Sequence, residues 1–248
     1  MNGIIISGIN GKMGRFVYQR AIESDIRVVA GVDKNIVGAC DCPVYKTFDE
    51  INEVADAIVD FSSPDNLNSI LEYACSNKIP IVIGTTGYTD EQENLIVDFS
   101  KRIPIFKSAN MSLGVNLLLK LCALSAAALS DYDVEIIDKH HNQKKDSPSG
   151  TSYMILNSIC DSLNKTNTTV FGRKGKNKRN DGEIGVHSVR GGGIVGEHEV
   201  LFVGKNECVT ITHTAFSKEL FADGAIKAVN FLIGKPARLY SMDDMVNI

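Results

Sequence analysis

Short apolar runs alternate with longer amphipathic stretches over the first hundred residues. Ile4–Ser7, Val28–Asp33, Ala57–Asp60, Pro80–Ile83 and Ile103–Phe106 are rich in β-branched side chains and lack polar alternation. Such runs are strands buried on both faces. Between them, Lys12–Ser24, Asp65–Asn77 and Glu91–Lys101 repeat their apolar positions at helical spacing. Strand–helix–strand repetition requires right-handed crossovers, so a Rossmann-like, doubly wound parallel α/β domain is predicted.

After Ser108 the rhythm changes. A strongly apolar helix (about 112–130), a strand (Asp133–Asp138) and a second helix (about Thr151–Leu163) precede a polar, basic loop (Asn164–Asp181). Three strand-like runs follow, Ile184–Arg190, Ile194–Val203 and Cys208–His213. Strands in succession with short Gly-containing joins predict a smaller α+β domain with an open mixed sheet. The final helix, Ser217–Ile233, would return to the first domain, giving a discontinuous unit 1–111 plus 218–248 and a substrate-binding and oligomerisation unit 112–217. Repeats and low-complexity tracts are lacking.

The chain has 248 residues, 26 basic and 30 acidic, for a net charge of −4. No overall field draws it to nucleic acid or membranes, so any anion site must be local. The basic loop Gly172–Arg179 lacks interleaved aromatics and reads as a solvated surface rather than a nucleic-acid site. Met1–Ser7 has no basic leader, and no segment reaches the ~18 apolar residues of a membrane span, so a cytoplasmic protein is expected. The six cysteines lie among apolar segments and are expected as buried free thiols; the Cys40–Cys42 spacing matches no common zinc or redox pattern.

Gly8-Ile9-Asn10-Gly11-Lys12-Met13-Gly14 follows the first strand and opens the first helix. In a dinucleotide fold, glycines there permit a tight turn and close approach of the pyrophosphate, whose charge meets the helix N-terminus. The spacing is G-x-x-G-x-x-G, with Asn10 where the second glycine usually stands. Asp33, about twenty residues on, can accept bonds from the adenosine ribose, whereas the adjacent Lys34 can pair with a 2′-phosphate. Use of both NADH and NADPH is therefore expected. Asp60-Phe61-Ser62-Ser63-Pro64 and Gly84-Thr85-Thr86-Gly87-Tyr88 end two other strands and offer Phe61, Gly84, Thr85 and Thr86 to ribose and nicotinamide, although such turns need Gly, Ser and Thr in any case.

The densest chemistry lies in Asp138–Met154, DKHHNQKKDSPSGTSYM. If a strand runs through it, His140 and His141 face opposite sides, which disfavours joint metal chelation, and no other converging ligands stand out, so no metal is expected. Lys144 and Lys145 precede a Pro-fixed turn into Ser149-Gly150-Thr151 at a helix start. A lysine ammonium, helix-end amides and two hydroxyls make a pocket suited to a small dicarboxylate. Capping by Ser149 or Thr151 is compatible with that use.

These segments resemble one family, the 4-hydroxy-tetrahydrodipicolinate (dihydrodipicolinate) reductases of bacterial and plant lysine biosynthesis. The matching pieces are Gly8–Gly14, Gly84–Gly87, Ser108-Ala109-Asn110-Met111 through Asn116, the His-His-x-x-Lys-x-Asp-x-Pro-Ser-Gly-Thr signature at His140–Thr151, and Arg190–Gly192 with Gly196-Glu197-His198. They span nearly the whole chain in the family's order.

The resemblance implies NAD(P)H-dependent reduction of a cyclic imine dicarboxylate, with loss of water from the hydroxylated substrate. It implies His140 as general acid, Lys144 as the residue binding or polarising substrate, and His141, Ser149, Gly150 and Thr151 as carboxylate holders. The expected cofactor set is Gly8, Asn10, Gly11, Lys12, Met13, Asp33, Lys34, Phe61, Gly84, Thr85, Thr86, Ser108, Ala109, Asn110 and Met111. It further implies a nicotinamide in one half meeting the substrate in the other, and a homotetramer built through Arg190–Val203. Where many members carry arginine, this chain has Lys218, which keeps the charge but loses the fork geometry; Phe216 and Lys145 are also unusual. Two alternatives are another amino-acid-pathway dehydrogenase, such as one acting on aspartate, and a non-catalytic redox sensor, which would not need the lysine-rich pocket.

Overall fold

The computed structural model describes residues 3–36, 40–163 and 168–246. They form two compact units, one running to Ser112 and resuming at Glu219, the other spanning Leu113–Lys218.

The first unit runs β1 (Ile4–Ser7), α1 (Lys12–Glu23), β2 (Val28–Val32), β3 (Val44–Tyr45), β4 (Ala57–Asp60), α2 (Leu67–Asn77), β5 (Ile81–Ile83), α3 (Asp90–Ser100) and β6 (Ile105–Lys107). The second unit contributes α4 (Leu113–Ala128), β7 (Asp133–His140), α5 (Gly150–Leu163), β8 (Thr168–Phe171), β9 (Glu183–Arg190), β10 (Gly196–Val203) and β11 (Cys208–Ala215). The chain then completes the first unit with α6 (Leu220–Leu232), β12 (Leu239–Tyr240) and α7 (Met242–Met245).

In the first unit seven strands pair in the order β12-β6-β5-β4-β1-β2-β3, all parallel. β1 and β4 are buried throughout, as their apolar runs Ile4–Ile6 and Ala57–Val59 require once helices cover both faces, with the polar Ser7 and Asp60 buried at their carboxyl ends. Ile5, Ile58, Ile70, Leu71, Ile81, Ile96 and Ile105 belong to one core cluster. Strand order reverses between β1 and β4, and in such sheets the crevice beyond the carboxyl ends at that reversal receives ligands. Helix α6 lies along α1, where Arg20 pairs with Asp223 and reaches Glu219 at 4.0 Å. Elsewhere on α6, Gly224 lets the backbone of Met111 approach the helix, because a Cβ there would stand 1.7 Å from the Met111 carbonyl oxygen.

The second unit is a five-stranded mixed sheet, β11-β10-β7-β9-β8. β7 lies antiparallel to β10 and parallel to β9. One face packs on α4 and α5 through Val134, Ile136, Val200 and Phe202 against Leu118, Cys122, Ile155 and Ile159. Burial alternates along β7, so Val134, Ile136, Asp138 and His140 are buried while Glu135, Ile137 and Lys139 are half-buried. Lys139 is clamped between Glu197 and Glu199 at 2.6 and 2.8 Å.

Several expectations need correction. The two-residue edge strands β3 and β12 have no sequence signal of their own. Strand β8 lies inside the segment predicted as a loop, whose residues 164–167 are outside the described residues. The basic loop is also not wholly solvated. Arg179, 18% exposed, bonds Glu135, Asp133 at 2.8 Å and the carbonyls of Val134 and Glu183, while Arg173 pairs with Glu183 at 3.1 Å. The cysteines are free, but only Cys122 is buried and Cys208 is exposed. Helix α6 begins at Leu220 rather than Ser217, and a further short helix, α7, follows it. Among the described residues no helix is long and apolar enough to cross a membrane.

Candidate active site

At the carboxyl ends of β1, β2, β4 and β5, the first unit brings together most of the predicted cofactor residues. Gly8 has φ +76°, and a Cβ there would meet the Phe61 carbonyl at 2.6 Å; a Cβ on Gly14 would lie 2.0 Å from the Gly8 oxygen. Both glycines therefore hold helix α1 hard against the turn, the geometry that exposes helix-end amides to a phosphate. The Gly11 amide donates to the Gly8 carbonyl at 3.0 Å, and Gly11 and Lys12 are exposed. Met13 is half-buried.

Asp33 accepts the Asn10 amide at 3.0 Å on one oxygen and the Asn35 amide at 2.9 Å on the other. The two bonds fix the carboxylate and leave it further acceptor capacity. Beside it an open cavity of about 580 Å³ is lined by Asn10, Arg15, Lys34, Asn35, Ile36 and Lys46. Three cations around one opening were not evident in the sequence, because Arg15 and Lys46 are far from Lys34 along the chain.

Phe61 is half-buried and packs over Gly84, where a Cβ would fall 2.3 Å from its ring. Thr86 is exposed, whereas Thr85 is buried beside Asp60. Asp60 is 1% exposed, and burial raises its pKa; the hydroxyls of Ser62, Thr85 and Ser7 oppose that rise only in part. Ser62 donates to it from its amide at 3.2 Å and its hydroxyl at 2.6 Å. After β6, the Ser108 hydroxyl donates to the Asn110 carbonyl at 2.8 Å and accepts the Asn110 amide at 3.1 Å, closing a tight turn. Ala109 is exposed, while Asn110 and Met111 are buried.

The second unit gathers the histidine stretch at the end of β7. Asp138 is fully buried. One of its oxygens bonds His140 Nδ1 and receives Arg190 Nη1 at 3.2 Å; the other accepts the Ser149 amide at 2.6 Å and Arg190 Nη2 at 3.2 Å. Burial alone would raise the Asp138 pKa, but the bonds from His140, Arg190 and Ser149 outweigh it and hold the carboxyl well below the usual range. One ionised side chain thus ties His140 to the first turn of α5.

Ser149 caps that helix: its hydroxyl accepts the Ser152 amide at 3.2 Å and lies 2.9 Å from His198 Nε2. A Cβ on Gly150 would meet nothing within 4 Å, and Thr151 is half-buried. Lys144 pairs with Asp146 at 2.8 Å, so its charge is available to a ligand only in competition with that carboxylate. His141 is half-buried, and desolvation together with Lys218, His140, Lys144 and Arg190 lowers its pKa, favouring the neutral ring. Lys218 thereby acts on the site at a distance. Phe216 is 90% exposed.

His140 and His198 stack edge to face with centroids 5.2 Å apart. Asp138, His140 and His198 offer atoms within 4.8 Å of one another, so other side chains do converge on His140, contrary to expectation. The Asp138 oxygens and His198 Nε2 are already engaged, however. Arg190 occupies both Asp138 oxygens and Ser149 meets His198, so a cation would have to displace a guanidinium. Asp138 and Arg190 lie 52 positions apart, a separation that hid their pairing from sequence reasoning.

Comparison with known proteins agrees with this geometry. Residues 2–111 match the family described as "Dihydrodipicolinate reductase, N-terminus", and residues 114–246 match "Dihydrodipicolinate reductase, C-terminus". The chain is 47% identical over 246 residues to a 4-hydroxy-tetrahydrodipicolinate reductase of Clostridium tetani, covering 98% of this chain and 96% of the relative. It is 49% identical over 245 residues to the protein of that name from Caldanaerobacter subterraneus subsp. tengcongensis, covering 98% and 97%. A dipicolinate-bound dihydrodipicolinate reductase from Paenisporosarcina sp. TG-14 superposes with a TM-score of 0.84 at 25% identity over the full length of both chains. An aspartate dehydrogenase from Thermotoga maritima, with a TM-score of 0.51 and 11% identity over 95% of this chain and 98% of its own, shares the fold alone. This chain belongs to the dihydrodipicolinate reductase family.

Proposed function

We propose that this protein reduces 4-hydroxy-tetrahydrodipicolinate to tetrahydrodipicolinate, with NADH or NADPH supplying the hydride and water leaving from the hydroxylated ring. The observation that carries the reading is the arrangement around Asp138, which ties a histidine to a helix N-terminus beside a lysine, in a chain of this family.

The substrate is a ring with two carboxylates. Its negative charge suits the amides of Gly150 and Thr151, the Ser149 hydroxyl and the Lys144 ammonium, and Gly150 leaves open space for it. His141, biased neutral, can donate to a carboxylate oxygen without adding another cation beside Lys144. His140 delivers a proton to the ring carbon next to the one that accepts hydride.

The cofactor residues fit a dinucleotide. The compressed Gly8–Gly14 turn suits the pyrophosphate, Asp33 suits the ribose hydroxyls, and the cavity lined by Arg15, Lys34 and Lys46 suits a 2′-phosphate. Having both devices, the protein uses NADH and NADPH. The homotetramer is part of the same reading, supported by exposed Val189 and Val203 on the face of the second sheet turned away from α4 and α5; sedimentation velocity measures it.

The deciding assay follows NAD(P)H oxidation with the condensation product of pyruvate and aspartate semialdehyde. Turnover only with that substrate, and its collapse in His140→Gln and Lys144→Ala with cofactor affinity retained, is expected. Normal turnover in both variants defeats the site assignment. Calorimetric titration with pyridine-2,6-dicarboxylate separates an enzyme, which binds it saturably, from a redox sensor, which does not.

A further inference from the structure

We infer that Asp138 is the positioning residue of His140, fixing the ring through Nδ1 so that Nε2 is the proton-donating nitrogen, with Arg190 and the Ser149 amide holding the carboxylate and Gly196 keeping Nε2 accessible. This rests on the reading of His140 as the general acid.

An ionised carboxylate only accepts hydrogen bonds. Asp138 is surrounded by donors: the Ser149 amide at 2.6 Å and both terminal nitrogens of Arg190 at 3.2 Å. Its bond to His140 therefore puts a proton on Nδ1, and the ring's other nitrogen is the one left to exchange protons with a ligand. Arg190 is itself anchored, donating to the Asp146 carbonyl at 2.8 Å, and its side chain is only 18% exposed. The pair is thus rigid on two strands, β7 and β9, in register at His140 and Arg190.

The opposite side of the ring is shaped as well. A Cβ at Gly196 would stand 3.1 Å from His140 Nε2, so any side chain there would crowd the nitrogen that must reach substrate. The charged and titratable neighbours are Asp138, Arg190, Lys144, His141 and His198. Desolvation, together with the charges of His140, His213 and Lys144, lowers the His198 pKa to about 4 despite the opposing pull of Asp138. His198 is thus neutral at physiological pH and does not compete as a cation. Among the described residues Asp138 is the anion bonded to the ring, so its charge faces the cation that forms whenever both ring nitrogens carry protons. When the Nε2 proton passes to the substrate carbon, the ring returns to its neutral Nδ1–H form, and a proton taken up from solvent, the one the reduction consumes, restores Nε2–H.

The test compares Asp138→Asn, Asp138→Glu, Gly196→Ala and His140→Gln across pH. Asp138→Asn is expected to lower kcat by roughly a hundredfold at neutral pH and to move the high-pH limb of the kcat profile to lower pH, with NADH affinity unchanged. Asp138→Glu is expected to recover a tenfold part of that loss. Gly196→Ala is expected to lower kcat more than it raises KM. A profile lowered in height but unmoved in pH reports packing alone and overturns the assignment. Should Asp138→Asn fail to fold, nitrogen-15 imidazole spectra of the unaltered protein decide, since a neutral His140 protonated at Nε2 overturns it equally. If His140→Gln keeps its turnover, the general-acid reading fails; if it is inactive while Asp138→Asn shows no shift, only the positioning role falls.

Discussion

Replacing Gly14 by alanine tests whether the compression of the first turn serves the cofactor. The new Cβ would lie 2.0 Å from the Gly8 oxygen and 2.7 Å from both the Gly8 carbonyl carbon and the Ile9 Cα. Ordinary contact begins near 3.4 Å, so the closest approach is short by 3.4 − 2.0 = 1.4 Å. All three atoms are backbone, so no rotamer change relieves the overlap. Gly8 is pinned in turn, its amide donating to the Val32 carbonyl at 2.8 Å and its oxygen accepting from Gly11 at 3.0 Å. Helix α1 must therefore move outward or the turn must open.

Overpacking of this kind costs about 1–3 kcal/mol or more. Alanine's better helix propensity returns about 1 kcal/mol. With the overlap on backbone atoms the upper end applies, and a net loss of about 3 − 1 = 2 kcal/mol lowers the melting temperature by roughly 4–8 °C in a chain this size. Loss of one charge-assisted bond to the pyrophosphate, worth about 1.5–3 kcal/mol, weakens cofactor binding by roughly ten- to a hundredfold. The chain has no tryptophan, so titration of NADH fluorescence meets little protein emission. Gly150→Ala is the control, because a Cβ there meets nothing; its melting temperature should hold or rise. A Gly14→Ala protein that melts within 1 °C of the parent and binds NADH within about twofold would refute the reasoning.

Three other outcomes are expected. Burial raises the Asp60 pKa above its ordinary 3.8, so the carboxyl costs stability as pH climbs through the raised value; Asp60→Asn should be the more stable protein in urea at pH 7, with the advantage gone below pH 4. His198 takes up a proton more readily unfolded, near pH 6.5, than folded, near pH 4. Stability should therefore be complete above pH 6.5 and fall by on the order of 3 kcal/mol as pH drops through about 4, and a His198→Asn protein whose denaturant midpoint falls as steeply would contradict this. Arg179→Ala strips partners from Glu135, Asp133 and two carbonyls and should cost roughly 2–3 kcal/mol, read as a lower melting temperature; an unchanged melt would return the basic loop to the status of solvated surface.

The strands readable from sequence were those whose burial left a mark on composition. β1 and β4 are apolar up to their carboxyl-terminal Ser7 and Asp60 because helices cover both faces of the sheet, and β7 alternates because one face lies on α4 and α5. Val44–Tyr45 and Leu239–Tyr240 pair through only two residues each, too few for any periodicity. Thr168–Phe171 was masked by the lysines and arginines that follow it, and those arginines turn inward only because Glu135 and Glu183 wait on distant strands. In the site, local chemistry was legible: the glycine turn, the paired histidines, and the serine before a helix. Cavity cations and the Asp138–Arg190 pair depend on how strands align, a property of register that neither partner's neighbours encode.

The return of the chain from the second unit to the first has a bearing on biosynthesis. Until Leu239–Tyr240 leave the ribosome, the outer margin of β6 has no mate and the groove beside α1 lacks its closing helix. A nascent chain must therefore carry an open, adhesive sheet border through the whole time the inserted unit is being made. Translation stalls after Lys218 should consequently be the moment at which this protein most needs a chaperone.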